Sequence, residues 1–441
     1  MTLKFTHSRF IALAAILIFG ITSCSKNHDV TAPVPAPAGN GNDTITVGDK
    51  LLLQPNVSAQ RPLSYQWTMS GKTVGTDSTY TFTAADSGDY AIGLRVTNSG
   101  GAFSYTYNIH VYAPYENGFF IANEGWYGHG TGTISFYRYN THTLEDSVFV
   151  KANPGKDLNP ATSTVEYATI WNKKLYIVSK VGGPIVQTDA YTLKEVNRVA
   201  AAGGNDWRAF LGLDSTHALV SSGKGIFPLD LKAMTIGTAL SSVSGETCDM
   251  IKAGNYIFAM SFSKGVIVLN AADYSVAKTF AGLTVAFAQT PDGAVWAAGG
   301  KTLVRINPST LDTTQITLPL AAASSAGAWH PGSIVASTTE NAVFVGGGTS
   351  SYFPNQIYKY VSGSGNVVQN AFISIASGKA LYGSGLGFDP AKKRLVVTTV
   401  ETGYGAHYSA NDLDFYDPAT GSLLKDIPYT GYYFPAMTVF H

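Results

Sequence analysis

Cysteine is nearly absent from the chain: 441 residues contain only Cys24 and Cys248, too few for a disulfide framework. Charge is scarce as well. Asp, Glu, Lys and Arg make up 13% of the residues, 29 acidic against 29 basic, and the net charge of +0 comes without any basic run. That balance removes the electrostatic footprint that nucleic-acid binding requires. Long apolar runs are also missing, apart from Phe10 to Ile21, which is too short to span a bilayer as a stable helix. No G-x-S-x-G elbow, H-E-x-x-H pair or G-x-x-x-x-G-K-[ST] loop occurs, so the motif-borne hydrolase, zinc-protease and nucleotide-binding chemistries have no foothold.

What is present favours strands and turns. The 46 glycines, 12% aromatic content and 45% hydrophobic content describe an all-β globular protein, too long for one ordinary domain. At the N-terminus, Lys4 and Arg9 precede the apolar run in the layout of a signal peptide. The run closes on Ile21-Thr22-Ser23-Cys24, which resembles a bacterial lipobox and implies lipidation of Cys24. Residues 1–24 are therefore expected to be a lipoprotein signal, and 25–42, rich in Pro, Ala and Gly, a flexible tether. Cys248 is left without a partner and reads as a buried, inert thiol.

Residues 43–113 carry short alternating segments such as Leu63 to Trp67 and Ile92 to Val96, as in a small β-sandwich with Trp67 in its core. Asp86 to Tyr90 has the form of a tyrosine corner. The module resembles the immunoglobulin-like and PKD-like spacers of bacterial surface proteins.

From residue 114 to 441 the pattern repeats every forty to fifty residues, which predicts propeller blades. Copies are read over Tyr167 to Val199, Trp207 to Leu240, Cys248 to Phe280, Val285 to Leu318, Ser333 to Ile375 and Gly385 to Ile427. The first copy, Phe119 to Asn140, lacks its inner strand, and Phe434 to Phe440 is an orphan apolar strand of the right kind. Their pairing would close a ring of about seven blades and remove exposed strand edges.

Propeller topology sorts the loops between two faces. One face carries turns explained by backbone geometry alone, such as Asn172-Lys173 and Asn307-Pro308-Ser309. The other carries long aromatic loops, and aromatic and Arg side chains supply most binding energy at little entropic cost. The candidate ligand-binding residues there are Glu124, Trp126, Tyr127, Tyr167, Trp207, Arg208, Glu246, Asp249, Trp329, Tyr382, Tyr404 and Tyr432. Substitution of Trp126 or Trp207 by Ala is expected to weaken capture while sparing stability. Lys180, Lys224, Lys264 and Lys301 recur after the second strand of successive copies and Glu124 and Glu401 hold that place in the first and last, giving a basic arc opposite an acidic one. His129, His330 and His407 are too scattered to assign a metal, and no cofactor is called for. Glu124, Glu166 and Glu246 are the carboxylates that an alternative glycan hydrolase or lyase, or glycan-binding protein, would use.

Phe120-Ile121-Ala122-Asn123-Glu124-Gly125, with the glycine-rich loop behind it and Ile134 to Tyr137, resembles the YncE-like, DUF5074-type propeller lipoproteins of Bacteroidetes. The resemblance covers nearly the whole propeller. It implies a non-enzymatic role: capture of a nutrient, a corrinoid such as cobalamin among the family's ligands, and its delivery to a TonB-dependent outer-membrane transporter. It further implies a monomer within a transporter complex, anchored to the outer membrane through its lipid and facing the cell surface.

Overall fold

Strands in the N-terminal part alternate apolar and polar residues and bury one face. Gly88–Asn98 turns Ile92, Leu94 and Val96 inward, and Gly101–Tyr112 adds Tyr107, Ile109 and Val111. These two strands centre a five-stranded sheet completed by Asn42–Thr46, Ser64–Met69 and Lys72–Gly75. A two-stranded sheet, Lys50–Leu53 with Tyr80–Thr83, contributes Leu53 and Phe82 to the same core. Trp67 is fully buried there and its indole N–H donates to the Asp77 carbonyl at 2.9 Å. The expected tyrosine corner is present, with the Tyr90 hydroxyl donating to the Asp86 carbonyl at 2.9 Å. The structure, a computed structural model, describes residues 30–36, 41–323, 331–350, 354–403 and 408–441. It divides into two units, one ending at Val111 and the other spanning Tyr112–His441.

The second unit is a seven-bladed propeller. Its strands are buried on both faces and so read as continuous apolar runs, as in Gly118–Asn123 and Gly265–Asn270. Blades 2 to 5 are four-stranded antiparallel meanders that begin with Val165–Trp171, Trp207–Gly212, Thr247–Ala253 and Phe287–Gln289. Blade 6 begins with Ile334–Ala336 and shares its second strand, Ala342–Gly348, with the two-residue strand Ala321–Ala322. Blade 7 runs from Lys379–Asp389 to Leu423–Thr430 and starts six residues earlier than the repeat suggests. A register shift between Leu381 and Leu386 hides the first part of that strand from the repeat pattern. Alternate residues of each strand face opposite neighbours, giving one apolar cluster at each of the seven blade interfaces. Phe120 and Ala122 thus pack toward blade 2, whereas Phe119 and Ile121 pack toward blade 7.

Blade 1 is completed by the C-terminus. Pro435–Phe440 pairs antiparallel with Gly118–Asn123, with Phe119 opposite Phe440 and Ile121 opposite Thr438, and becomes the missing inner strand. Side chains from both ends of the chain then lock the seam. The Tyr139 hydroxyl donates to the fully buried Asp389 at 2.9 Å, Arg394 pairs with the same carboxylate at 3.2 Å, and its guanidinium lies 3.6 Å from the Phe415 ring centroid.

On the short-turn face, the third-to-fourth-strand turns repeat one device. Asp189, Asp230, Asn307 and Asp417 each accept N–H bonds from the residues two and three positions on. The chain then returns through a left-handed residue at Leu193, Met234 or Leu311, and at Gly421 in the last copy.

Candidate ligand-binding site

The second strand of each blade ends, and the first strand of the next begins, on the face opposite those turns. The loop after Gly118–Asn123 is held there by backbone bonds in two directions. Glu124 and Gly125 N–H donate to the Phe434 and Tyr433 carbonyls, both at 2.9 Å, while the Glu124 carbonyl accepts from Val165 N–H of blade 2. Gly132 is required by this stitching, because a Cβ at that position would lie 2.4 Å from the Val165 nitrogen. Glu124 is thereby fixed between the C-terminal segment and blade 2.

Around Glu124 lies a belt of buried charge. Lys180, only 2% exposed, reaches Glu124 Oε1 at 3.1 Å and Glu166 Oε2 at 2.8 Å. Arg208 meets the other oxygen of Glu166 at 3.4 Å, and its second terminal nitrogen lies 3.3 Å from both Asp206 and Glu246. On the blade 7 side, the Tyr382 hydroxyl donates to Glu124 Oε2. The belt therefore runs Tyr382, Glu124, Lys180, Glu166, Arg208, then Asp206 and Glu246, across blades 7, 1, 2, 3 and 4. Burial works against the Lys180 ammonium, but Glu166 and Glu124 outweigh it and hold its pKa above the usual lysine range. For Glu166 the balance is reversed: burial prevails over Lys180 and Arg208 and raises its pKa. Burial, then the charge and hydrogen bond of Glu124, push the Tyr382 phenol well up.

This belt replaces the two opposed arcs expected from the sequence. Lys224, Lys264 and Lys301 are exposed, whereas Lys180 is buried between Glu124 of blade 1 and Glu166 of its own blade 2. Repeat position predicts the same place in each blade but not the same environment. Glu124 and Glu166 are both engaged with Lys180, so neither stands as a free general acid or base.

Outside the belt the seam carries an aromatic stack. Half-buried Trp126 stacks on His129, with centroids 4.0 Å apart, and on Tyr432 at 4.4 Å. Tyr432 is 39% exposed, and Tyr127, next to Trp126 in the chain, is 54% exposed. Tyr433 donates to Asp146 at 3.0 Å, and Phe434 packs on Tyr382 and Tyr408. A loop of blade 1 and the segment entering the C-terminal strand thus build one surface.

Trp207 departs from expectation. It is 7% exposed in the core between blades 2 and 3 and meets the Phe227 ring edge-on at 5.8 Å, because its strand turns it sideways toward the preceding blade rather than up to the face. Tyr167 and Asp249 lie inside the channel, on the wall of a cavity of about 280 Å³. Trp329 and Tyr404 lie outside the described residues, as do His330, His407 and the lipidation position Cys24. Cys248 is buried beside the belt, and burial pushes its thiol pKa up. No group of three His, Cys, Asp or Glu side chains able to hold a metal occurs among the described residues. The sequence places Asp206 at the start of an inner strand, as a polar contact that could orient a ligand, and Lys180 only in the basic arc; no local periodicity joins Lys180 to Glu124.

A family model described as a domain of unknown function, DUF5074, matches residues 117–441. The chain belongs to this family. A PKD-like domain model matches residues 40–98, ahead of the DUF5074 propeller. Among solved structures, the chain is similar to a quinonprotein alcohol dehydrogenase-like protein from Bacteroides thetaiotaomicron, with 19% identity and a TM-score of 0.61 over 92% of this chain and 99% of that one. It is also similar to the extracellular domain of a putative hybrid two component system of that organism, with 15% identity and a TM-score of 0.46, covering 64% of this chain and 35% of the other. The first similarity supports the propeller fold. No curated protein matches the chain.

Proposed function

We propose that this DUF5074 protein is a non-enzymatic cell-envelope lipoprotein, held to the outer membrane through Cys24, that captures a bulky, flat nutrient on its aromatic face. In this reading the ligand is a corrinoid such as cobalamin, and a TonB-dependent outer-membrane transporter receives it. The observation that carries the reading is the stack of Trp126 on His129 and Tyr432, with Tyr127 exposed alongside. Pre-stacked rings present a rigid apolar edge at little entropic cost, which suits a large planar ligand.

The belt has the complementary role. Its charges are already paired and largely buried, so it contributes shape and hydrogen-bonding oxygens rather than a net charge to be neutralised. Glu246, with 38% of its side chain exposed, is the belt member open to a ligand amide. The resemblance carried by Phe120 to Gly125 points to the same ligand class. Purified protein mixed with excess cyanocobalamin is expected to retain the red ligand through gel filtration at near one-to-one stoichiometry. Retention of neither cyanocobalamin nor cobinamide would overturn the corrinoid reading.

A further inference from the structure

The channel cavity has a chemistry of its own, and none of the belt residues Glu124, Lys180, Glu166 and Arg208 lines it. Its walls are mostly apolar, with Phe287, Ile334, Leu386 and Phe388 among them, and one ionisable carboxyl, Asp249, interrupts them. Asp249 is about nine-tenths buried and accepts N–H bonds from Met250 at 2.9 Å and from Phe287 of the next blade at 2.9 Å. Those bonds clasp blade 4 to blade 5, a sufficient structural task for an acceptor. They use one site on each oxygen, about half of a carboxylate's acceptor capacity. No cationic side chain pairs with it among the described residues. Thr438, on the C-terminal strand, lines the same cavity, but its hydroxyl oxygen is turned against Gly387 and has no accessible surface, so Asp249 is the polar group that the cavity offers a guest. A buried carboxylate with spare acceptor capacity and no cation beside it is costly and marks a site that something else completes.

We propose that the channel is a second ligand site, selective for a small organic ammonium compound whose charge pairs with Asp249 and whose apolar body packs on the phenylalanines. A neutral guest would leave the carboxylate uncompensated, and an anion would be repelled. A metal ion would find one carboxylate in an apolar wall, too few oxygen donors to replace its hydration shell. An ammonium brings the missing charge and three donors, and aromatic walls favour cations further. The cavity, about 280 Å³, is slightly below the roughly 300–1,000 Å³ usual for ligand sites, so the guest is small. This site is separate from the aromatic face, and either can fail without the other.

Isothermal titration of the full chain with phenethylammonium, against 2-phenylethanol and 3-phenylpropionate, tests the assignment. The ammonium is expected to bind one-to-one, at least tenfold more tightly than the alcohol, with no binding of the carboxylate. Asp249→Asn, which keeps one of the two acceptor oxygens, should weaken it at least tenfold while still unfolding cooperatively. Equal affinity for ammonium and alcohol, unchanged binding by folded Asp249→Asn, or no binding of the ammonium at all would overturn the proposal.

Discussion

Lys180 is the residue on which the belt depends. Its removal takes away the cation that Glu124 and Glu166 share and leaves Glu166 with Arg208, and breaking a buried pair in this way costs about 3–5 kcal/mol. Lys180→Ala is therefore expected to lower stability by that order in urea unfolding, and the double variant Lys180→Met with Glu166→Gln should recover a large part of it. Equal stability of Lys180→Ala and the natural protein would show that the belt is solvated. Asp249 yields the opposite kind of prediction. Burial raises its pKa from near 4 to about 6, and the nearby groups are Tyr167 and Cys248, both with pKa values raised by burial. Between those two values the folded state holds more protons than the unfolded one, so this group's contribution to stability falls as pH rises from about 4 to 6 and is level above that. Two units correspond to roughly 3 kcal/mol. The stability of Asp249→Asn relative to the natural protein should thus be higher at pH 7.5 than at pH 4, and an equal difference at both would contradict the burial of this carboxyl. Neither residue's environment was legible beforehand. Lys180 occupies the same place in its repeat as three exposed lysines, and only Glu124 of the adjoining blade and Glu166 of its own distinguish it. Trp207 was misread for the related reason that strand alternation, not residue type, decides whether an aromatic faces a loop or a neighbouring blade.

At the scale of elements, the seam is the informative case. Gly118–Asn123 could be read as a second strand lacking its first, because every residue in it is apolar or turn-forming and no strand precedes it within its repeat. The orphan Pro435–Phe440 could be matched to it on the same ground. What the pattern could not supply was the lock of Tyr139, Asp389, Arg394 and Phe415, which joins residues some 250 positions apart and has no local periodicity. The short helix Val148–Ala152 was missed likewise, since five residues carry too little periodic signal. Deletion of residues 435–441 removes the strand opposite Phe119 to Asn123, exposes both edges, and takes Thr438 from the channel wall. The deletion variant is expected to lose cooperative unfolding or melt many degrees lower. A melting curve superimposable on that of the full chain would refute closure through this strand.

For the whole molecule, the fold follows from repetition: seven similar copies that cannot bury two faces alone do so by stacking into a ring, and the apolar cluster at each interface is the result. Function is not repeated, and therefore not periodic. The proposed site lies where the copies differ, in the buried belt across blades 7, 1, 2, 3 and 4 and in the aromatic stack that the first loop and the last build together. The seam is thus both the point of closure and the proposed point of capture. The most direct test is a fluorescence-quenching titration of the natural protein and Trp126→Ala with cyanocobalamin, each checked by thermal melting. Saturable quenching by the natural protein, at least tenfold weaker binding by Trp126→Ala and nearly unchanged melting are the results expected. Binding by Trp126→Ala as tight as that of the natural protein would contradict capture at the seam.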